Sequence, residues 1–171
     1  QRFNVFSKVH THLSERSTLT LDLGAFSSAW DASGQLPARA IASGLIDRWG
    51  AIDDFEGGTT GRRNLNLTFR SKGRNNSDFT AQAYFSRYDF KLFSNFTFFL
   101  EDPVNGDMIE QIDDRQLFGF KSDYSFYHNV GSLLARATLG GSMRGDDTDV
   151  GLWKNTVRER EHSLVDSRVL E

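Results

Sequence analysis

Cysteine is absent from the 171 residues, which removes disulfide scaffolds and thiolate-bound zinc or iron–sulfur centres from consideration. That absence also suits a chain that crosses an oxidising periplasm unfolded. No apolar run approaches the roughly 20 residues that a membrane-spanning helix requires, so a helical membrane protein is excluded. No stripe of Lys and Arg interleaved with aromatics marks a nucleic-acid surface, and nucleic acid is not an expected partner. Neither a Gly-x-Ser-x-Gly elbow nor a phosphate-cradling Gly-rich loop occurs, so the chain is not read as an enzyme and no cofactor is expected. The amino-terminal residues lack the charged, apolar and small-residue order of a signal peptide, and Gln1 opens inside a strand-like stretch. A segment of a longer protein is the expectation.

What the chain has instead is alternation. Leu19, Leu21, Leu23 and Ala25 point one way and Thr18, Thr20, Asp22 and Gly24 the other, the period of a strand with one apolar and one watery face. A mean hydropathy of −0.48 does not oppose a transmembrane β-barrel, because only alternate residues meet lipid, and fifteen Phe residues fit one.

The first strand reads from about Arg2 to Leu13, with Phe3, Val5, Val9 and Leu13 on one face and Asn4, Lys8, His10 and His12 on the other. A short turn at Ser14–Ser17 leads to a second strand from Thr18 towards Trp30. Residues 31–62, rich in Gly, Ala, Pro and Asp, read as a long extracellular loop; irregular connections beyond about 12–15 residues tend to be functional or disordered. Strands follow over Asn64–Arg70 and from Phe79 through Phe99, the latter overlong for a bilayer, which needs about 9–11 residues. The Asn105-Gly106 pair then marks a hairpin tip. A return strand carries Phe118, Phe120, Tyr124 and Phe126, and Tyr124, Phe126 and Tyr127 are candidates for an interfacial aromatic girdle. Leu133–Arg144 alternates again, Gly145–Asp149 reads as a loop, Val150–Glu161 as a weaker strand, and Ser163–Glu171 as a turn entering an eighth.

The imbalance of charge sits in the long connections. Between Glu101 and Asp114 there are six acids and no base, and residues 31–61 hold Asp31, Asp47, Asp53, Asp54 and Glu56 against Arg39 and Arg48. Trp49, Asp53 and Asp54 in the long loop, with Trp30 and Asp31 at its base, are the candidate ligand contacts; for each one singly, a solvated loop position is the favoured reading. His10 and His12 share a strand face, but with no third ligand at suitable spacing no metal site is expected. The acids of residues 101–114 lack the spacing of a calcium loop. Three formal glycosylation acceptors, at Asn66, Asn75 and Asn95, are read as coincidences.

Phe93-Ser94-Asn95-Phe96-Thr97-Phe98-Phe99-Leu100 followed by Asp102-Pro103-Val104-Asn105-Gly106-Asp107 resembles a hairpin of the bacterial TonB-dependent outer-membrane receptors. Asp149-Val150-Gly151-Leu152-Trp153 and Val165-Asp166-Ser167-Arg168-Val169 look like later segments of the same barrel. The resemblance implies an all-β, antiparallel up-and-down meander of about seven to eight strands, part of a 22-stranded barrel in the bacterial outer membrane. It also implies energised import of a scarce extracellular nutrient such as a ferric siderophore, with the TonB complex acting through a plug that these residues do not include. Two other readings stand beside it: a small complete eight-stranded barrel with an anchoring role, and a soluble β-sandwich binding module. On the receptor reading, the outermost strands of the isolated piece have open edges, and self-association is expected.

Overall fold

Alternation over such long stretches has one regular outcome, and the computed structural model, which describes residues 1–74 and 76–171, shows it as a seven-stranded antiparallel sheet whose spatial order is the chain order. The strands are β1 (Arg2–Ser14), β2 (Ser17–Asp31), β3 (Gly57–Lys72), β4 (Asp78–Ser94), β5 (Ile109–Val130), β6 (Leu133–Thr156) and β7 (Glu159–Leu170), with one short helix, α1 (Ala38–Ala42). The sheet is open: β1 pairs only with β2, and β7 only with β6. Among the described residues no helix is long and apolar enough to cross a membrane, which leaves strands aside. At about 3.3 Å per residue the 24 residues of β6 extend roughly 80 Å.

Several boundaries differ from the sequence expectation. The expected loop at Gly145–Asp149 continues β6, where Gly145 pairs with Phe118 and Asp147 with Gln116. Two of its three acids are held by neighbours, Asp146 by Arg144 and Asp147 by Arg168. The chain reverses instead at Val157 and Arg158, both with positive φ (52° and 66°). A β-branched residue there costs about 1–2 kcal/mol, and no turn-favouring residue announced it. The stretch expected to start an eighth strand is therefore part of β7. β3 begins at Gly57, so the long connection covers residues 32–56. β4 stops at Ser94, and Phe96–Leu100 lies in the 95–108 connection. In that connection only Gly106 of the Asn-Gly pair takes positive φ. The turn is organised by carboxylates: Asp102 accepts from the Val104 and Asn105 backbone N–H, and Asp107 from those of Glu101 and Asp102.

Register turns alternation into two faces. Val9, Leu21, Leu67, Ala83, Phe120 and Met143 lie in one cross-strand row, with Leu23, Leu65, Phe85 and Phe118 in the next row on the same face. The opposite face carries Lys8, Asp22, Asn66, Gln82 and Lys121 in one row. There Lys8 Nζ lies 3.4 Å from Asp22, Asn66 donates to Asp22 at 3.1 Å, and Gln82 donates to Asn66 at 2.6 Å. Asn66 is thus committed to the sheet's polar ladder, and Asn95 is buried; Asn75 lies outside the described residues. Tyr124 and Phe126 stack 5.8 Å apart on the apolar face, whereas Tyr127, one residue on, falls on the polar face beneath Arg136. Parity removes it from the expected girdle.

Conventional burial is concentrated at the long-loop end. Among the described residues only Ala40, Phe93 and Met108 are buried apolar side chains, alongside buried Glu56, Asn95, Asp107, Glu110 and Asn155 near that end. Here the 32–56 connection, the 95–108 connection and the β6–β7 hairpin meet. Arg158 donates from Nε to the Phe55 carbonyl at 2.8 Å and covers the Phe93 ring at 5.0 Å. These contacts offset the strained turn that carries it.

Candidate functional site

Within single strands the apolar residues change parity partway along. In β2 they are odd-numbered from Leu19 to Ala25 and then even at Phe26 and Trp30; in β4 odd from Phe79 to Phe85 and then even at Tyr88, Phe90 and Leu92; in β6 odd from Leu133 to Met143 and then even at Val150 and Leu152. No register shift interrupts the β2–β3, β3–β4, β4–β5 or β5–β6 ladders, so the switch is one of chemistry, not of bulges. Toward the long-loop end, the face that is polar elsewhere therefore becomes aromatic. The other face becomes charged there, with Asp89, Asp114 and Asp149 in one row.

The aromatic patch is built across adjacent strands. Trp30 and Phe90 are tilted together with centroids 6.4 Å apart, Tyr88 and Phe90 stack at 6.3 Å and 10°, and Arg62 lies 5.1 Å over the Tyr88 ring. Beside them Phe90, Gln111, Asp113, Val150, Leu152 and Val165 line a recess of about 350 Å³. Glycine makes room for the tryptophan: a Cβ on Gly58 would meet the Trp30 ring at 2.9 Å and the Lys91 carbonyl oxygen more closely still. The arginines differ in readiness. Arg115 is engaged by Asp113 through two 2.6 Å hydrogen bonds, whereas Arg62 is exposed and, among the described residues, makes no ion pair. Phe26 adjoins in the Arg62–Tyr88 row with the exposed Arg2 guanidinium 5.2 Å over its ring, and rings with two such guanidiniums suit a planar, anionic or aromatic ligand, held by stacking and cation–π contact.

The five residues expected from sequence separate. Trp30 belongs to the patch. Asp31 alternates to the other face, where its exposed carboxylate is 3.8 Å from Arg158 Nη2. Trp49 stands 87% exposed with Arg48 5.9 Å over its ring, and Asp54 is exposed. Asp53 has a tethering role: it accepts a 2.8 Å hydrogen bond from the buried Asn95 amide and another from the Phe55 N–H, fastening the 32–56 connection to the end of β4. Phe26, Arg62, Tyr88 and Phe90 were missed, although the parity switch that places them is legible in the sequence. His10 bonds Thr20 at 2.8 Å and meets His12 edge to face at 5.5 Å; among the described residues no group of three or more His, Cys, Asp or Glu converges as for a metal.

Electrostatics at the loop junction is set by burial and pairing. Desolvation pushes the Glu56 carboxyl above its ordinary value and the nearby Asp53 adds to it, against a hydrogen bond from the Asn95 backbone. Glu110 is buried too, yet hydrogen bonds from Arg160 and Lys91 overcome the desolvation and hold it below the ordinary range. Asp107 too is held well below the ordinary range, by backbone N–H donors, chiefly that of Glu101.

No protein-family model matches the chain, and no curated protein and no solved structure matches it.

Proposed function

We propose that this chain is a stretch of the wall of a bacterial outer-membrane β-barrel, in a receptor of the TonB-dependent type. Its apolar face would meet lipid, its polar face the lumen, and its long-loop end the cell exterior. One observation carries the membrane reading: a continuous apolar band across six strands on one face, backed by a hydrogen-bonded polar ladder on the other. A soluble sandwich would need a second layer over that band. The apolar positions of β1 run from Phe3 to Leu13, about the 9–11 residues that a tilted strand needs to cross.

The transport reading rests on the resemblance of residues 93–107 and on the aromatic patch. In this proposal the wall belongs to a 22-stranded barrel, and a nutrient such as a ferric siderophore settles on Trp30, Tyr88, Phe90 and Arg62 inside the mouth. The TonB complex then opens the path by pulling on a plug. Trp49, Asp53 and Asp54 belong to the loop that surrounds the mouth, with Asp53 anchoring it. No covalent chemistry is required.

The test combines topology and size. An antibody to residues 32–56 is expected to label intact cells of the source bacterium and to detect an outer-membrane polypeptide several times larger than the 19.4 kDa of this chain. A species near 19 kDa would replace the receptor with a small complete barrel. Detection in the soluble fraction would end the membrane reading.

A further inference from the structure

The apolar face ends, toward the long loops, at two arginines. Arg63 on β3 and Arg87 on β4 are direct cross-strand partners, one row beyond Leu65 and Phe85. Both are exposed, and among the described residues neither makes an ion pair. Like charges directly opposite on a sheet repel. Along their own row Ala25 and Gln116 flank them, and the next carboxylate, Asp147, is taken by two hydrogen bonds from Arg168 at 3.0 and 2.7 Å; Asp114, one row out, attracts Arg87 without forming an ion pair with it, so the repulsion is only partly offset. Beside the pair lies a shallow groove of about 430 Å³ whose lining includes Val5, Leu23, Ala25, Leu65, Phe85 and, of the two arginines, Arg63.

We infer that this is a binding site for a phosphorylated lipid, with the phosphate between Arg63 and Arg87 and an acyl chain in the groove. The inference rests on the membrane reading above, which puts this row at the outer leaflet and so specifies its phosphorylated glycolipid as the occupant. Guanidinium forks match phosphate oxygens in pairs, and one dianionic group between two of them turns the repulsion into attraction. Free phosphate would leave the groove empty. A second copy docked by the same face would add two more arginines to the row. Asp89, Asp114 and Asp149 stand one row further out and repel an anion from that side, so the phosphate sits on the apolar side of the pair.

The experiment uses the full-length protein extracted from outer membranes in mild detergent. Co-purified lipid is identified by native mass spectrometry, and lipid A and its dephosphorylated form are titrated back. Wild type is expected to retain about one phosphorylated glycolipid and to prefer lipid A to the dephosphorylated form, and the Arg63→Gln/Arg87→Gln variant to bind it on the order of tenfold more weakly. Ala25→Trp, which fills the groove with both arginines intact, is expected to lose the lipid as well, and it decides the matter if the double variant fails to insert. Equal retention by the variants, indifference to the phosphate, a phospholipid held in preference, or a protein on this face overturns the site while leaving the membrane reading intact. Absence of the protein from the outer membrane overturns both.

Discussion

Arg160 grips Glu110 with two hydrogen bonds, Nε to Oε2 at 2.6 Å and Nη2 to Oε1 at 2.9 Å, while its guanidinium lies 4.5 Å over the Trp153 ring. Lys91 adds a 3.2 Å contact, so a carboxylate only 2% exposed joins β4, β5 and β7 at one point, with β6 brought in through the Trp153 ring beneath Arg160. Glu110→Gln leaves Arg160 without its bidentate partner. Because Arg160 and Lys91 are partly solvated, the expected cost is about 2 kcal/mol rather than that of a fully buried pair. Urea unfolding of the full-length protein in detergent measures it, and an unchanged midpoint would count against the junction. Glu110 titrates below the ordinary range, so its stabilisation is present above the unfolded value and lost as pH falls through the folded one.

At Gly58 the constraint is steric. An added Cβ meets the Lys91 carbonyl oxygen, a backbone atom that can shift only with the strand, and the Trp30 ring at 2.9 Å. Gly58→Ala is expected to cost about 1–3 kcal/mol and to shift Trp30 emission as the ring leaves Phe90. Gly141→Ala, where an added Cβ meets nothing within 4 Å, is the control and stays within about 0.5 kcal/mol. Equal effects of the two would refute the packing assigned to Trp30.

Arg62 and Tyr88 carry the ligand reading. On the proposed transport reading, removing one available guanidinium with Arg62→Gln is expected to weaken binding of the ligand about fivefold, while Arg115→Gln, whose guanidinium is already engaged by Asp113, changes it less. If that reading holds, growth on the limiting nutrient and direct binding to the purified protein are the measurements. The opposite ranking would move the ligand away from the Tyr88 side of the patch.

The two faces of β1 to β6 were legible because parity is an exact geometric property of a strand, and Leu19–Ala25 or Leu65–Phe69 need no tertiary information to declare it. The end of β6 was not. Gly145, Asp146 and Asp147 have the composition of a loop, and only their partners on β5 and β7 make them strand. Val157 and Arg158 form a turn without turn residues because Arg158 is fixed from outside, by the carbonyls of Phe55 and Glu56 about a hundred positions away. The surroundings of the candidate contacts were hidden in a similar way: Trp49, Asp53 and Asp54 share a loop in sequence but only tertiary contacts separate the exposed Trp49 from the tethered Asp53, whereas the aromatic patch lies inside strands, where the change of parity marks it.

The open edges bear on the 171-residue polypeptide expressed by itself. β1 and β7 each leave one row of backbone N–H and C=O groups unpaired, and Phe3, Val5, Val9, Leu133, Leu139 and Met143 are exposed on one face. Self-association or detergent binding is the expected behaviour. Light scattering on a size-exclusion column decides it, and a monodisperse monomer without detergent would show that the apolar face is covered by some other rearrangement.

Glu56 gives the loop junction a pH dependence opposite to that of Glu110. Among the described residues its Oε1 has no hydrogen-bond partner, the carboxylate packs against Gly34, whose lack of a Cβ leaves the space, and burial raises its titration above the ordinary value. A group whose folded value is raised contributes stability that is full below the unfolded value and lost as pH rises through the folded one. The 32–56 connection is therefore expected to hold more tightly to Asn95 and Arg158 near pH 5 than near pH 8, a window in which Glu110 stays ionised. Hydrogen exchange of residues 50–56 in the full-length protein reads this directly once the pH dependence of the intrinsic rates is divided out. Glu56→Gln removes the charge and is expected to give the low-pH protection at both values. A pH trend that survives in Glu56→Gln would assign it to another group.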